Sequence, residues 1–379
     1  MMRGLLSGLC AGVMAGAAPM PAAAQEDGPA PVELDGYYLS DAFANLRGGI
    51  KTGARVMGKL GVIFDADASA VGVAGARLHV DLQYVHGHSL SNDLVGDAQV
   101  VSNIDAVSAL RPMEAYLALP FGDAGQGALK LGLIDLNVDF DVQRYGAFFL
   151  NSSHGIAPDV SQSGLNGPSI FPTSASAVTA QWQGRGWTGR LGLFDAVAGD
   201  PDHPGRTVVR FPGTTGLLMV SEVDIAIGGD SELQIGAWRY TPRFPRIDAT
   251  GRTGKSQGVY ALVEGPLARR GAAELGGWLR IGVASDAVNP IGLYLGGGAT
   301  FGTEDRRIGL AFAHARLGDP ARQAEGLRRA ETAIELSYAH RVHPRISLQP
   351  DVQYVVHPGW NPSRRDAIVA GMRVHLTLF

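Results

Sequence analysis

Two-residue alternation of apolar and polar positions runs through most of the chain. Leu78, Val80, Leu82 and Tyr84 alternate with Arg77, His79, Asp81 and Gln83. Ile308, Leu310 and Phe312 alternate with Gly309, Ala311 and Ala313. Ile346, Leu348, Val352, Tyr354 and Val356 stand against Ser347, Gln349, Asp351 and Gln353. In an extended strand such alternation sends one set of side chains to each face. Noisier versions occupy 129–136, 188–194, 217–227, 233–240, 258–264, 277–284, 331–338 and 367–379, separated by Gly, Pro, Asp and Asn clusters. Helical periodicity is nearly absent. Only the stretch around 320–333, PARQAEGLRRAET, predicts a turn or two of helix, in a loop between strands.

The two faces differ in chemistry. One carries Leu, Val, Ile, Phe and Ala, while the other carries Asp81, Lys130, Arg190, Glu222, Asp224, Arg280, Glu335, Asp351 and Arg373. A soluble β-sandwich would show the same contrast, so three further features decide. The N-terminus has Arg3, an apolar run from Leu5 to Ala18 and the A-x-A site Ala22-Ala23-Ala24. That run falls short of the roughly 18–20 residues of a spanning helix, which makes residues 1–24 a cleavable export signal and Gln25 the mature N-terminus. The strands recur over the whole remaining length. The last strand ends on an aromatic residue, Phe379, after Val374, Leu376 and Leu378, although Phe379 shares its parity with His375 and Thr377. Charged or polar residues interrupt every later apolar run, and a membrane then admits only a closed barrel.

The expected fold is therefore all-β: a transmembrane antiparallel barrel over residues 25–379. Allowing roughly 20–24 residues per strand and connection gives about 16 strands, enough to enclose an aqueous channel. Composition adds constraints. The only cysteine, Cys10, leaves with the signal, so no disulfide holds the mature chain. A net charge of −4 without a basic face argues against nucleic acid.

Between about 138 and 176 the alternation stops, in VDFDVQRYGAFFLNSSHGIAPDVSQSGLNGPSIFPTSAS. A loop this long is functional or disordered. Phe140, Tyr145, Phe148, Phe149, Ile156, Leu165, Ile170 and Phe171 require burial, so the loop is expected to fold into the lumen and narrow it. A second polar loop, Gly199 to Thr207, brings Asp200, Asp202, His203 and Arg206 together. These loops offer an eyelet of Arg144, Asp139, Asp141, Asn151, Asp159, Asn166 and Arg206. Planar Arg with carboxylate and amide groups matches a hydroxyl-rich solute. The same residues could instead pair with one another to hold the loop down, and the sequence leaves both readings open.

Several motifs carry nothing. Residues 249–256, ATGRTGKS, approach a phosphate-binding loop but precede a strand rather than a helix. His86, His88, Asp202 and His203 lack zinc spacing. The expectation is a protein without metal, cofactor or catalytic constellation.

The block FLNSSHGIAPDVSQSGLNGPSIFPTS at 149–174 resembles the signature loop of the carbohydrate-selective porins, the OprB family. Segments 86–106, 129–142, 194–207 and 331–362 are similar as well, so the likeness runs from about residue 40 to the C-terminus. It implies a 16-stranded outer-membrane channel, constricted by inward loops, through which glucose-like monosaccharides diffuse passively. Small sugars and outer-membrane lipids are then its partners, and a homo-oligomer is left open. Where the family runs Arg-Leu-Tyr-Glu, this chain has Arg111-Pro112-Met113-Glu114. Because Pro cannot donate to a ladder, the strand here is expected to begin after Pro112, with Arg111 and Glu114 added as lining candidates. Two other readings stand beside it: a plugged structural or adhesive barrel without transport, and a soluble exported all-β protein that binds or cleaves sugars.

Overall fold

The computed structural model describes residues 32–210 and 214–379; the expected signal at 1–24 and the start of the barrel domain at Gln25 lie outside these. Sixteen strands follow one another: β1 (Val32–Gly49), β2 (Gly53–Asp67), β3 (Arg77–Gly87), β4 (Ala109–Phe121), β5 (Gly127–Ile134), β6 (Ala175–Gly184), β7 (Trp187–Asp195) and β8 (Leu217–Gly228). β9 (Ser231–Pro245), β10 (Thr253–Arg270), β11 (Ala273–Ala284), β12 (Ile291–Gly302), β13 (Arg306–Leu317), β14 (Ala330–His343), β15 (Ile346–Val356) and β16 (Arg365–Thr377) complete the set. Each pairs antiparallel with its neighbours in sequence, and β1 pairs with both β2 and β16, so the sheet closes into a barrel. Closure matters because lipid offers no partner to an open edge. Two short helices interrupt the loops, α1 (Pro158–Ser161) and α2 (Asp319–Glu325). The second is the helical turn expected near 320–333.

The two ends of the barrel are unequal. Turns at 122–126, 185–186, 229–230, 271–272 and 344–345 lie at the end where β1 begins and β16 stops. Loops 88–108, 135–174, 196–216 and 318–329 lie at the other end. Short periplasmic turns and longer extracellular loops are the rule for such barrels, which orients the molecule.

The side chains divide as the alternation required. Leu82, Leu191, Ile235, Leu279, Leu310 and Val352 are exposed on the outer face, whereas Asp81, Glu222, Glu264, Arg280, Glu335 and Asp351 are buried inside. Leu310 lies mid-strand, opposite Leu336, and is 57% exposed. Leu310→Arg is expected to destabilise the barrel by about 2–4 kcal/mol, the cost of Arg on the lipid face near the bilayer midplane. Urea titration in phospholipid vesicles measures this; a midpoint unchanged from wild type would contradict the assignment of faces.

The strand at Pro112 differs from expectation. β4 begins at Ala109, with Pro112 opposite Leu82 and Arg111 opposite Gln83. The register shifts between Asp81 and Leu82, leaving Met113 as an extra residue. This bulge absorbs the missing N–H donor, so the ladder resumes on both sides of the proline. The phosphate-loop look-alike at 249–256 bridges β9 and β10, strand to strand.

Candidate pore and its constriction

The loop between β5 and β6, residues 135–174, is fixed to lumen-facing side chains around the wall. Buried carboxylates accept from its backbone. The Asp141 N–H donates to Glu222 (2.8 Å), those of Arg144 and Tyr145 to Glu264 (3.2 and 3.1 Å), and those of Leu150 and Asn151 to Glu335 (2.6 and 3.0 Å). Charge-assisted bonds of this kind are stronger than neutral ones. The loop thus follows the inner wall from β8 past β10 to β14. The loop between β3 and β4 joins it. Ala98 and Gln99 N–H donate to Glu331, and Ser102 Oγ donates to Asp41 at 2.6 Å.

Arg280 on β11 is the hub. Its guanidinium donates to both oxygens of Asp141 (3.1 and 3.0 Å) and to Asp159, and it lies over the Tyr260 and Tyr294 rings at 4.9 and 5.4 Å. All three charged side chains are fully buried. Glycines on the facing strands receive the loop's aromatic groups. A Cβ at Gly276 would stand 1.8 Å from the Tyr145 ring, and one at Gly309 would stand 2.6 Å from Phe149. Any larger residue there would lift the loop off the wall. Burial pulls the pKa of His154 down to about 3. Its imidazole is therefore neutral, and its 3.7 Å approach to Glu335 is a packing contact rather than an ion pair.

Polar side chains of β2 to β7 line the rest of the wall. Lys130 pairs with Asp139 at 2.7 Å, and Thr179 bonds the same carboxylate. Arg190 reaches Glu222 at 3.0 Å and Asp224. His79 stands 3.6 Å from Glu114 and stacks on Tyr116 with centroids 4.8 Å apart. Half-buried Lys59 on β2 points across the lumen. Its Nζ lies 5.6 Å from the Tyr37 ring on the wall and 4.9 Å from the Phe171 ring on the returning arm of the loop. Wall and loop approach one another here, with Asp81, Arg373, Asp135 and Asp41 as the nearest charges.

Set against this geometry, the residues expected to form the eyelet separate. Glu114 stands on β4 beside His79, and Asp139, on the constriction loop itself, accepts from Lys130 and Thr179 of the wall. Asp141 and Asp159 are consumed by Arg280 and closed to solute, which is the loop-holding alternative. Asn151 is buried, donating to Gln353 and accepting from Ser153 N–H. Arg144 turns away from the lumen centre, donating to the Asp230 carbonyl in a short periplasmic turn at 2.8 Å. Asn166 donates to the Ala198 carbonyl at 2.7 Å, tying the two long loops together. Arg111 donates to the carbonyls of Val107 and Pro204, and Arg206 is exposed in the outer loop. Sequence reasoning passed over Lys59, whose lumenal position shows only once β2 is placed, and treated Phe171 as core alone.

Comparison with known proteins gives a consistent result. The family described as carbohydrate-selective porin, OprB family, matches residues 51–378. The high-pH structure of Pseudomonas putida OprB superposes with a TM-score of 0.81 at 17% identity, covering 92% of this chain and 94% of that one. The low-pH structure of the same protein scores 0.60 at 14% identity, over 92% and 93% of the two chains. A mutant porin of Rh. blastica scores 0.54 at 13% identity, over 92% and 100%. Over 72 residues the chain is 36% identical to porin AaxA of Chlamydia pneumoniae, a stretch that is 19% of this chain and only 16% of that relative's length.

Proposed function

Because the chain belongs to the carbohydrate-selective porin, OprB family, we propose that it is a passive outer-membrane channel for glucose-like monosaccharides. One observation carries the reading. Two loops cover much of the lumen wall, and from β2 to β8, along the border between wall and loop, Lys59, Lys130 and Arg190 alternate with Asp81, Glu114, Asp139 and Asp224 beside Tyr116 and Phe171. Such a strip offers donors and acceptors to sugar hydroxyls and flat faces to a sugar ring. Contacts remain individually weak and spread along the wall, so the solute is released as readily as it enters. The expected leader at residues 1–24 belongs to this reading, and an intact mass beginning at Gln25 in outer-membrane fractions checks it.

Planar-bilayer recording of the detergent-extracted protein, with glucose titrated into the bath, tests the function. Ohmic steps that glucose partly blocks support it. Stable insertion without current would leave a plugged structural barrel instead.

The strip also carries a pH signature. Burial, and then repulsion from Glu114, holds the Asp135 carboxyl up at about 7. Asp135 caps the entry to the constriction loop, accepting from Asn137 N–H at 2.8 Å, and its own N–H donates to Glu114. A carboxyl with a raised pKa is largely neutral below that value and gains its charge as pH rises through it. Cation preference is therefore expected to increase between about pH 6 and 8. Asp135→Asn should flatten that step. Reversal-potential measurements under a salt gradient read it, and an identical step in the variant would assign the titration elsewhere.

A further inference from the structure

Outside the lumen, the sector formed by β13, β14 and β15 is graded from apolar to basic. Phe312, Ile334 and Tyr354 lie in register across the three strands on the outward face. One row nearer the extracellular rim, the same register places His314, Thr332 and Val356, and His314 Nδ1 lies 2.8 Å from Thr332 Oγ1. Above this row, the loop carrying α2 overhangs an open cavity of about 820 Å³, lined by Arg322, Arg328 and Arg329 with His314 and His357. Asp319 is the one acidic residue lining it, and its contact with Arg322 is long, at 3.4 Å. Arg328 makes a 3.5 Å approach to the Pro362 carbonyl and feels the Asp366 carboxylate, which accepts from Tyr354 Oη and His357 N–H. The Arg329 side chain is exposed and has no partner among the described residues.

A basic cavity on the lipid side of a barrel, one row above its apolar band, sits where headgroups lie. Three guanidinium forks that the protein leaves largely unsatisfied match phosphate oxygens in both charge and geometry. Basic pockets at this depth attract anionic lipid headgroups. We propose that this cavity binds the phosphate-bearing headgroup of an outer-leaflet glycolipid, with its acyl chains lying along Phe312, Ile334 and Tyr354. A free phosphate ion would use the guanidinium groups but not the apolar strip directly below them, so the continuity of the two favours lipid. The proposal rests on the outer-membrane placement of the barrel and is independent of which solute the lumen passes.

Native mass spectrometry of the purified barrel, with phosphorylated lipid A or its enzymatically dephosphorylated form added, tests this. Wild type should retain the phosphorylated form preferentially. The triple variant Arg322→Ala, Arg328→Ala, Arg329→Ala should bind it on the order of a hundredfold more weakly, at roughly fivefold per arginine, while conductance and heat-resistant gel migration stay unchanged. Equal retention by the triple variant, or equal binding of the dephosphorylated lipid, would overturn the proposal. So would full displacement by millimolar inorganic phosphate, which would assign the cavity to the free ion. Should the alanine variant lose heat-resistant migration, Arg329→Glu alone decides, since this exposed side chain holds no contact that folding needs: weaker retention of the phosphorylated lipid supports the site and wild-type retention overturns it.

Discussion

Arg280→Met is expected to open the channel. The substitution keeps much of the side-chain volume between Tyr260 and Tyr294 but leaves Asp141 and Asp159 buried without a counter-charge. Removing one partner of a buried ion pair costs about 3–5 kcal/mol, because the remaining charge stays desolvated. That is enough to shift the docking equilibrium of the loop by roughly 10²–10³-fold or more. The barrel itself should survive, since its ladders close without the loop. Single-channel conductance should therefore rise several-fold and the glucose block should vanish, while migration on unheated gels remains that of a folded barrel. A companion variant in which Arg280→Met is combined with Asp141→Asn and Asp159→Asn separates the causes. It removes the stranded charges and should restore much of the wild-type conductance. Wild-type conductance in the single variant would show that Arg280 does not hold the constriction.

This prediction rests on residues the sequence displayed without explaining. Arg280, Glu222 and Glu335 stood out as polar members of alternating strands, a pattern that pointed to a barrel once joined to the export signal, the recurrence of strands and the aromatic C-terminus. What they bond to was not legible, because the partners (backbone N–H groups for Glu222 and Glu335, the Asp141 and Asp159 carboxylates for Arg280) belong to a loop 81 to 185 positions away in the chain. The apolar content of the 138–176 segment did point to a loop folded into the lumen, though not to the strands it lies against. Strands escaped notice for the same reason. β1 and β2 carry Tyr37, Leu39, Phe43 and Met57 inward, against Leu90, Leu94, Val101 and Ile104 of the loop between β3 and β4. Both faces of these strands are thus apolar in places, and the alternation disappears. β12 hides its period in glycine, since Gly296 and Gly298 make room for neighbouring Tyr294 and Trp278. A lumen that is partly filled with protein reads like a core along those strands and like a channel wall elsewhere. The eyelet candidates divide along the same line: Asp141 and Asp159 are spent on Arg280, whereas Asp139 meets Lys130 and Glu114 meets His79 at the border between loop and wall.

At that border, Lys59→Met is expected to change ion preference by about tenfold. Methionine is close in length to lysine, so it can still pack between Tyr37 and Phe171, and the bore should stay similar. The charge is lost. Asp81 and, above about pH 7, Asp135 are then the charges left acting at that position, while Asp41 stays neutralised by Arg373, which donates to both its oxygens at 2.7 Å. A unit charge about 6 Å from a passing ion is worth roughly 0.7 kcal/mol in water, a factor of about three. Removing it favours cations by that factor and disfavours anions equally, so the cation-to-anion permeability ratio should rise about tenfold. The measurement belongs near 0.1 M salt, where the screening length of about 10 Å leaves the interaction intact, and the effect should shrink toward 1 M. Glucose block should weaken in parallel, because the ammonium group is the donor that faces the Phe171 ring across the gap. An unchanged permeability ratio at low salt would place the permeating ions away from Lys59, and the constriction would then have to lie elsewhere along the wall.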